Sequence, residues 1–102
     1  MKEIEFKHAT LEGVKTSKGE LVEHDGFQYA LHYFEDSYDA IELSTGFRVA
    51  GVPSVTKTVD GIPARDYLIL QIKKKKITPR ALELTKLEME ANNIEFPLNN
   101  RF

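Results

Sequence analysis

The residues best suited to chemistry in this sequence form a basic run in its second half. Five cations fall within eight positions, with no acid between them: Lys73, Lys74, Lys75, Lys76 and Arg80. Amino and guanidinium groups at this density bind phosphate backbones without reading their base sequence. The run therefore predicts a nucleic-acid contact. The same lysines would also keep a buried segment soluble where it emerges into water.

Acidic side chains are concentrated in the other half of the chain. Residues 1–51 carry a net charge of -5 and residues 52–102 a net charge of +3, within a total of -2. An acidic sheet surface of this kind could imitate nucleic acid and thereby inhibit a basic protein, which is one alternative function. The side chains that would form it are Glu20, Glu23, Asp25, Glu35, Asp36, Asp39 and Glu42.

Three histidines are the remaining candidates for acid–base or metal chemistry. His24 and His32 flank one predicted hairpin, so with nearby acids they could form the centre of a small hydrolase, which is a distant alternative. The chain has no cysteine, and the histidine spacing matches no metal-ligand pattern. No nucleophile motif or phosphate-binding glycine loop is present. We therefore expect no catalytic residues, no metal, no cofactor and no enzyme activity.

Strands with a period of two are the elements that would position these groups. The longest is Phe27–Phe34, which carries large apolar side chains on one face, and Asp25-Gly26 predicts the tight hairpin turn that precedes it. In residues 2–8, Ile4, Phe6 and His8 share the face expected to be buried. Further strands are predicted at 40–43 and 47–50, joined by a turn at Thr45-Gly46. Residues 17–20 predict another turn, around a glycine.

Residues 54–76 leave the secondary structure ambiguous. The segment Tyr67–Ile72 is apolar on every side of a helical wheel, so it is either a strand buried on both faces or a wholly buried helix. Its shortness and its two β-branched residues favour the strand. Asp60-Gly61 would then form the turn that joins it to the preceding strand.

One C-terminal helix is predicted from Pro79 to about Asn92, with Thr78 as its N-cap. Two apolar stripes run along it. We expect the first, which contains Leu84, Leu87 and Ala91, to dock on the sheet. The second contains Leu82 and Met89, and either the tail 94–98 or a second copy of the chain would cover it. The second possibility predicts a homodimer through this helix.

The segment Ala40–Ala50, with its Thr45-Gly46 turn, resembles a hairpin found in small accessory proteins of phages and mobile elements of Gram-positive bacteria. It covers about a tenth of the chain. The resemblance implies a small, non-catalytic cytoplasmic protein and transfers no functional residue. After Gly51 the chain departs from that pattern, because Val52-Pro53-Ser54 stands where those proteins open a charged helix.

Together these patterns predict a single α+β domain spanning residues 1–102, with an antiparallel sheet of five to seven short strands packed against one C-terminal helix. Acids stand where a signal peptide would need an apolar run, and no apolar run is long enough to span a bilayer. We therefore expect a cytoplasmic protein without a membrane partner. The expected function is that of an accessory or regulatory module that binds a protein or a nucleic acid.

Overall fold

The structure, a computed structural model, describes residues 2–10, 13–75 and 79–94. Its centre is an antiparallel sheet of five strands, in which strands adjacent in sequence are also adjacent in space. These strands are β1 (Glu3–Thr10), β2 (Gly13–His24), β3 (Phe27–Tyr33), β4 (Ser37–Glu42) and β5 (Arg48–Pro53). A short ribbon and two helices follow: β6 (Thr58–Val59), β7 (Ile62–Pro63), α1 (Ala64–Lys74) and α2 (Pro79–Ala91). The predicted α+β class and antiparallel sheet are confirmed.

Two of the connections are tight turns whose residues adopt the left-handed backbone conformation. Asp25 and Gly26, with φ of 52° and 82°, close the β2–β3 hairpin as predicted. Asp60 and Gly61, with φ of 51° and 79°, turn the chain between β6 and β7. The predicted turn at residues 17–20 is wrong, because these residues continue β2. Gly19 lies there because the strands pack closely: a methyl group on it would lie 2.6 Å from the carbonyl oxygen of Leu31.

The strand predicted for Tyr67–Ile72 is wrong, because this segment belongs to α1. Ala64, Leu68 and Ile72, four residues apart, are all buried on one side of the helix. They pack on the face of the sheet that carries Tyr29, Leu31, Tyr38 and Ala40. Tyr67 and Ile69 on the flanks of the helix are also partly buried. These flanks hide the helical period, which is why the sequence pattern favours a strand.

Polar contacts hold the start of α1. The amide of Ala64 donates to the carbonyl of Lys57 over 2.9 Å. Arg65 donates from Nε and Nη2 to both carboxylate oxygens of Glu20 on β2. The paired guanidinium lowers the pKa of Glu20, since its hydrogen bonds favour the ionised carboxylate. The pair fixes the helix against the middle of β2.

The other face of the sheet carries a second apolar cluster. Its buried members come from three strands and the turn after β4: Ile4, Phe6, Ala30, Ile41 and Leu43. His8 lies on the same face as Ile4 and Phe6 and is buried with them, as its position in the alternation predicts. The sheet is therefore apolar on both faces at β3 and β4.

The predicted bounds of the C-terminal helix are confirmed, since α2 runs from Pro79 to Ala91. Its end is marked by Asn93 at φ 59° and by a hydrogen bond from the amide of Ile94 to the carbonyl of Met89. The predicted docking stripe is wrong: Leu84 and Leu87 are 58% and 57% exposed, whereas Met89 is 1% exposed. Both stripes are equally apolar, so the pattern alone does not determine which one faces the protein.

Several predicted features lie outside the described residues: Lys76, the N-cap Thr78 and residues 95–98 of the tail. Within the ranges that the structure describes, neither helix has the length and apolar character needed to cross a membrane.

Candidate nucleic-acid interface

The basic run lies at the junction of the two helices. Lys73 and Lys74 occupy the last turn of α1, where their charges complement the partial negative charge of the helix end. Both side chains are exposed, as are Lys75, directly after the helix, and Arg80 in the first turn of α2. The four predicted cations that the structure describes are therefore all exposed around the helix junction.

Lys75 ties this junction to the edge strand β5. Its Nζ donates a hydrogen bond to the carbonyl oxygen of Val49. The pairing of β4 with β5 shifts register here, so that Ile41 pairs with Arg48 while Ala40 pairs with Ala50. Val49 is thus the extra residue of a β-bulge, which explains why its carbonyl is available to a side chain.

An exposed aromatic ring and a further cation directly precede Val49 in the chain. Phe47 is 36% exposed, and the side chain of Arg48 is 62% exposed. A groove of about 180 Å³ lies between β5 and α2, with Phe47, Val49, Lys75, Leu82 and Thr85 among its walls. Lys75 of the basic run therefore borders a groove that also contains an aromatic side chain.

The carboxylate of Glu42 borders the same groove, but it is buried and accepts three hydrogen bonds from neighbouring residues. It accepts hydrogen bonds from the Ser44 hydroxyl at 2.5 Å, from the Thr45 amide at 2.8 Å and from the Thr45 hydroxyl at 2.7 Å. These bonds build the turn that the Thr45-Gly46 pair predicts. Glu42 is therefore tied to this turn while it lines the groove.

Asp39 on β4 is the second buried acid of this region, at 5% exposure. Its Oδ2 accepts a hydrogen bond from the Ser37 hydroxyl over 2.9 Å. Its Oδ1 is 3.7 Å from Nη1 of Arg48 and accepts no hydrogen bond from any residue that the structure describes. The carboxylate lines a cavity of about 310 Å³ with His8, Phe34, Phe47 and Arg48. Phe47 borders both this cavity and the groove.

Behind Asp39 lies a cluster of four rings. His32 stacks edge-on against Phe34 at a centroid distance of 4.4 Å, and His8 is 5.3 Å from Phe34 and 5.5 Å from Phe6. His8 Nε2 is bonded to the Ser17 hydroxyl over 2.8 Å, and His32 Nδ1 donates to the carbonyl of Lys18. Burial, the His32 ring and Lys15 together lower the pKa of His8. The cluster therefore disfavours the protonated form of His8.

The pair predicted for a hydrolase is not brought together. His24 pairs with Phe27 beside the β2–β3 turn, whereas His32 lies five residues further along β3, about 16 Å at 3.3 Å per residue. The two side chains also line different depressions. His8 is the histidine that approaches His32, with ring centroids 6.3 Å apart. Among the described residues no group of three His, Asp or Glu side chains is arranged to hold a metal ion.

The residues predicted for self-association occupy separate positions on α2. Leu82 lines the groove opposite Phe47, and Met89 is buried. Of the acids proposed for nucleic-acid mimicry, Glu20 is paired with Arg65, and Asp39 and Glu42 are buried. The acidic surface is accordingly smaller than the sequence predicts.

Sequence reasoning missed Phe47 and Arg48 as interface residues and Asp39 as a lining residue. The adjacent aromatic and basic residues after a Thr-Gly turn were a usable signal. The approach of Phe47 to Lys75, however, depends on long-range contacts at a bulge that no local pattern reveals. Comparison of the chain with protein-family models, with curated proteins and with solved structures finds no match in any of the three.

Proposed function

We propose that this protein is a cytoplasmic, non-catalytic accessory module that binds the backbone of single-stranded nucleic acid. The contact surface, here called the basic end, consists of Arg48, Lys73, Lys74, Lys75 and Arg80. The observation that carries the proposal is the hydrogen bond from Lys75 to the carbonyl of Val49. It joins the helix junction to Val49 of the edge strand, the residue that follows Phe47 and Arg48 in the chain.

Charge distribution supports a single-stranded ligand that meets one end of the molecule. The whole chain has a net charge of -2, and its first half has -5. A long duplex would bring further phosphates towards these acids, whereas a flexible strand can follow the basic end alone. The exposed ring of Phe47 suits this ligand too, since unpaired bases stack on aromatic side chains.

The decisive experiment is a fluorescence-anisotropy titration with a labelled single strand of about 12 nucleotides. The test variant carries Lys73→Glu and Lys74→Glu. A matched control carries Lys2→Glu and Lys57→Glu, two exposed lysines outside the basic end, so that both variants change the net charge equally. Circular dichroism checks that each variant is folded.

We expect the test variant to bind at least about tenfold more weakly than the wild type, because phosphate contacts dominate such complexes. The control should retain most of the affinity. Equal losses in the two variants would show that only overall charge matters and would overturn the basic end as the binding surface. No binding by the wild type at low salt would overturn the proposed function itself.

A further inference from the structure

The cavity over Asp39 offers one unsatisfied acceptor in a buried position. Within the described chain, Oδ1 of Asp39 receives no hydrogen bond, although the residue is only 5% exposed. A buried carboxylate oxygen without a donor costs free energy unless something donates to it. The carboxylate cannot turn away to solve this, since its other oxygen is held by Ser37.

Arg48, beside the carboxylate, supplies hydrogen-bond donors. The guanidinium of Arg48 is 3.7 Å from Oδ1, beyond the length of a hydrogen bond, and most of the side chain is exposed. A buried acceptor and a set of donors therefore lie side by side in the wall of the cavity. They match a ligand that presents an N–H group next to an acceptor atom.

The remaining walls are largely flat rings. Phe34, Phe47 and His8 line the cavity together with the aliphatic side chain of Ile41. Aromatic walls select a planar ligand, because stacking is strongest between flat faces. The volume of about 310 Å³ is within the range of small-molecule sites.

We propose that this cavity takes one unpaired nucleobase of the bound strand, with its N–H donor on Asp39 Oδ1, an acceptor atom on Arg48 and its ring against Phe47. This inference rests on the proposed function, because the strand reaches the cavity from the basic end. Phe47 connects the two sites, since it borders both the cavity and the groove that contains Lys75. Each base carries a donor beside an acceptor on its pairing edge, so the edge chemistry of a base fits this pair of side chains.

The test compares two labelled single strands of equal length, one with normal bases and one with abasic sugars, so that both have the same backbone charge. We expect wild-type protein to bind the base-bearing strand about tenfold more tightly, because a base stacks on an aromatic side chain and an abasic sugar cannot. Phe47→Leu should remove most of this preference and leave the affinity for the abasic strand unchanged. Asp39→Ala should also remove most of the preference; because it takes a negative charge away from Arg48, it is judged by the ratio of the two affinities and not by either affinity alone. Asp39→Asn, which keeps an amide oxygen as an acceptor, should restore part of it.

Tyr33→Leu is the matched control, because Tyr33 is an exposed aromatic residue, at 58%, that does not line the cavity. It should keep the full preference for bases. Wild-type protein that binds both strands equally, with Lys73→Glu and Lys74→Glu weakening both, would overturn the base site and leave the proposed function intact. Failure of wild-type protein to bind either strand would overturn both. Should Asp39→Ala lower the stability, Phe47→Leu still decides the question.

Discussion

The carboxylate of Asp39 lies directly against Gly51, its cross-strand partner on β5: a methyl group placed on Gly51 would collide with Oδ1. The backbone of Gly51 is not in the left-handed region. Glycine is needed here for space, therefore, and not for conformational freedom. The absent side chain lets a buried carboxylate lie across the edge of the sheet, where it faces Arg48.

We predict that Gly51→Ala lowers the free energy of unfolding by about 1–3 kcal/mol, the usual cost of overpacking. Urea denaturation of the two proteins measures the difference. In a background that carries Asp39→Ala, the same change should cost clearly less, because the colliding oxygen has been removed. An equal cost in both backgrounds would contradict the assigned contact.

Two leucines of α1 distinguish the observed helix from the strand that the sequence favours. Leu68 is fully buried and Leu70 is 39% exposed. We predict that Leu68→Ala costs about 2–5 kcal/mol of stability and that Leu70→Ala costs much less. In a strand both side chains would share one face, so similar losses in denaturation experiments would contradict the helix.

The two stripes of α2 lead to a second matched comparison. Met89→Ala should destabilise the protein by about 2–5 kcal/mol, because it leaves a cavity at a residue that is 1% exposed. Leu87→Ala, on the exposed stripe, should change the stability by about 0.5 kcal/mol or less. Thermal melts of the two variants measure this, and the reverse order would show that α2 docks through its other face.

Stability should fall at mildly acidic pH because of His8. Its pKa is lowered from 6.5 in the folded state, so the unfolded chain binds more protons than the folded protein once the pH drops below about 6.5. The stability that the unprotonated His8 contributes is fully present above that pH, and it is lost as the pH falls through the lowered pKa of His8. Chemical denaturation between about pH 5 and 7.5 should show this slope.

A His8→Gln variant should flatten this part of the stability profile, even if its stability at neutral pH is lower. His24→Gln serves as the control, since His24 lies outside the cluster of four rings. A slope that persists without change in His8→Gln would mean that other groups cause the acid sensitivity.

Much of the sheet could be predicted from sequence, because alternation and turn residues are local signals. The alternation of Ile4, Phe6 and His8 gave the correct buried face, and Asp25-Gly26 marked a true hairpin. Gly19 led to a wrong prediction of a turn, because glycine is required both in tight turns and where strands pack closely. For Tyr67–Ile72 the prediction failed because residues on the flanks of the helix are also apolar and partly buried. The sequence therefore lacks the 3.6-residue period of apolar positions that identifies a helix.

The candidate site was only half predictable. The basic run is visible in the sequence, and its exposure follows from its position at a helix end. The approach of Lys75 to Phe47 and Val49 is a long-range relationship, at the point where Val49 forms the bulge of β5. The burial of Asp39 depends in the same way on Gly51, a partner that pairs with it only in the folded sheet.

The salt dependence of single-strand binding tests the central claim most directly. If the basic end neutralises phosphates, the logarithm of the binding constant should fall linearly with the logarithm of salt concentration, with a slope of about -0.7 for each phosphate contacted. About three to five contacts are available from the cations of the basic end, so we predict a slope of roughly -2 to -3.5, reduced by Lys73→Glu plus Lys74→Glu. A binding constant that does not change with salt, or the same slope in this variant, would contradict the account.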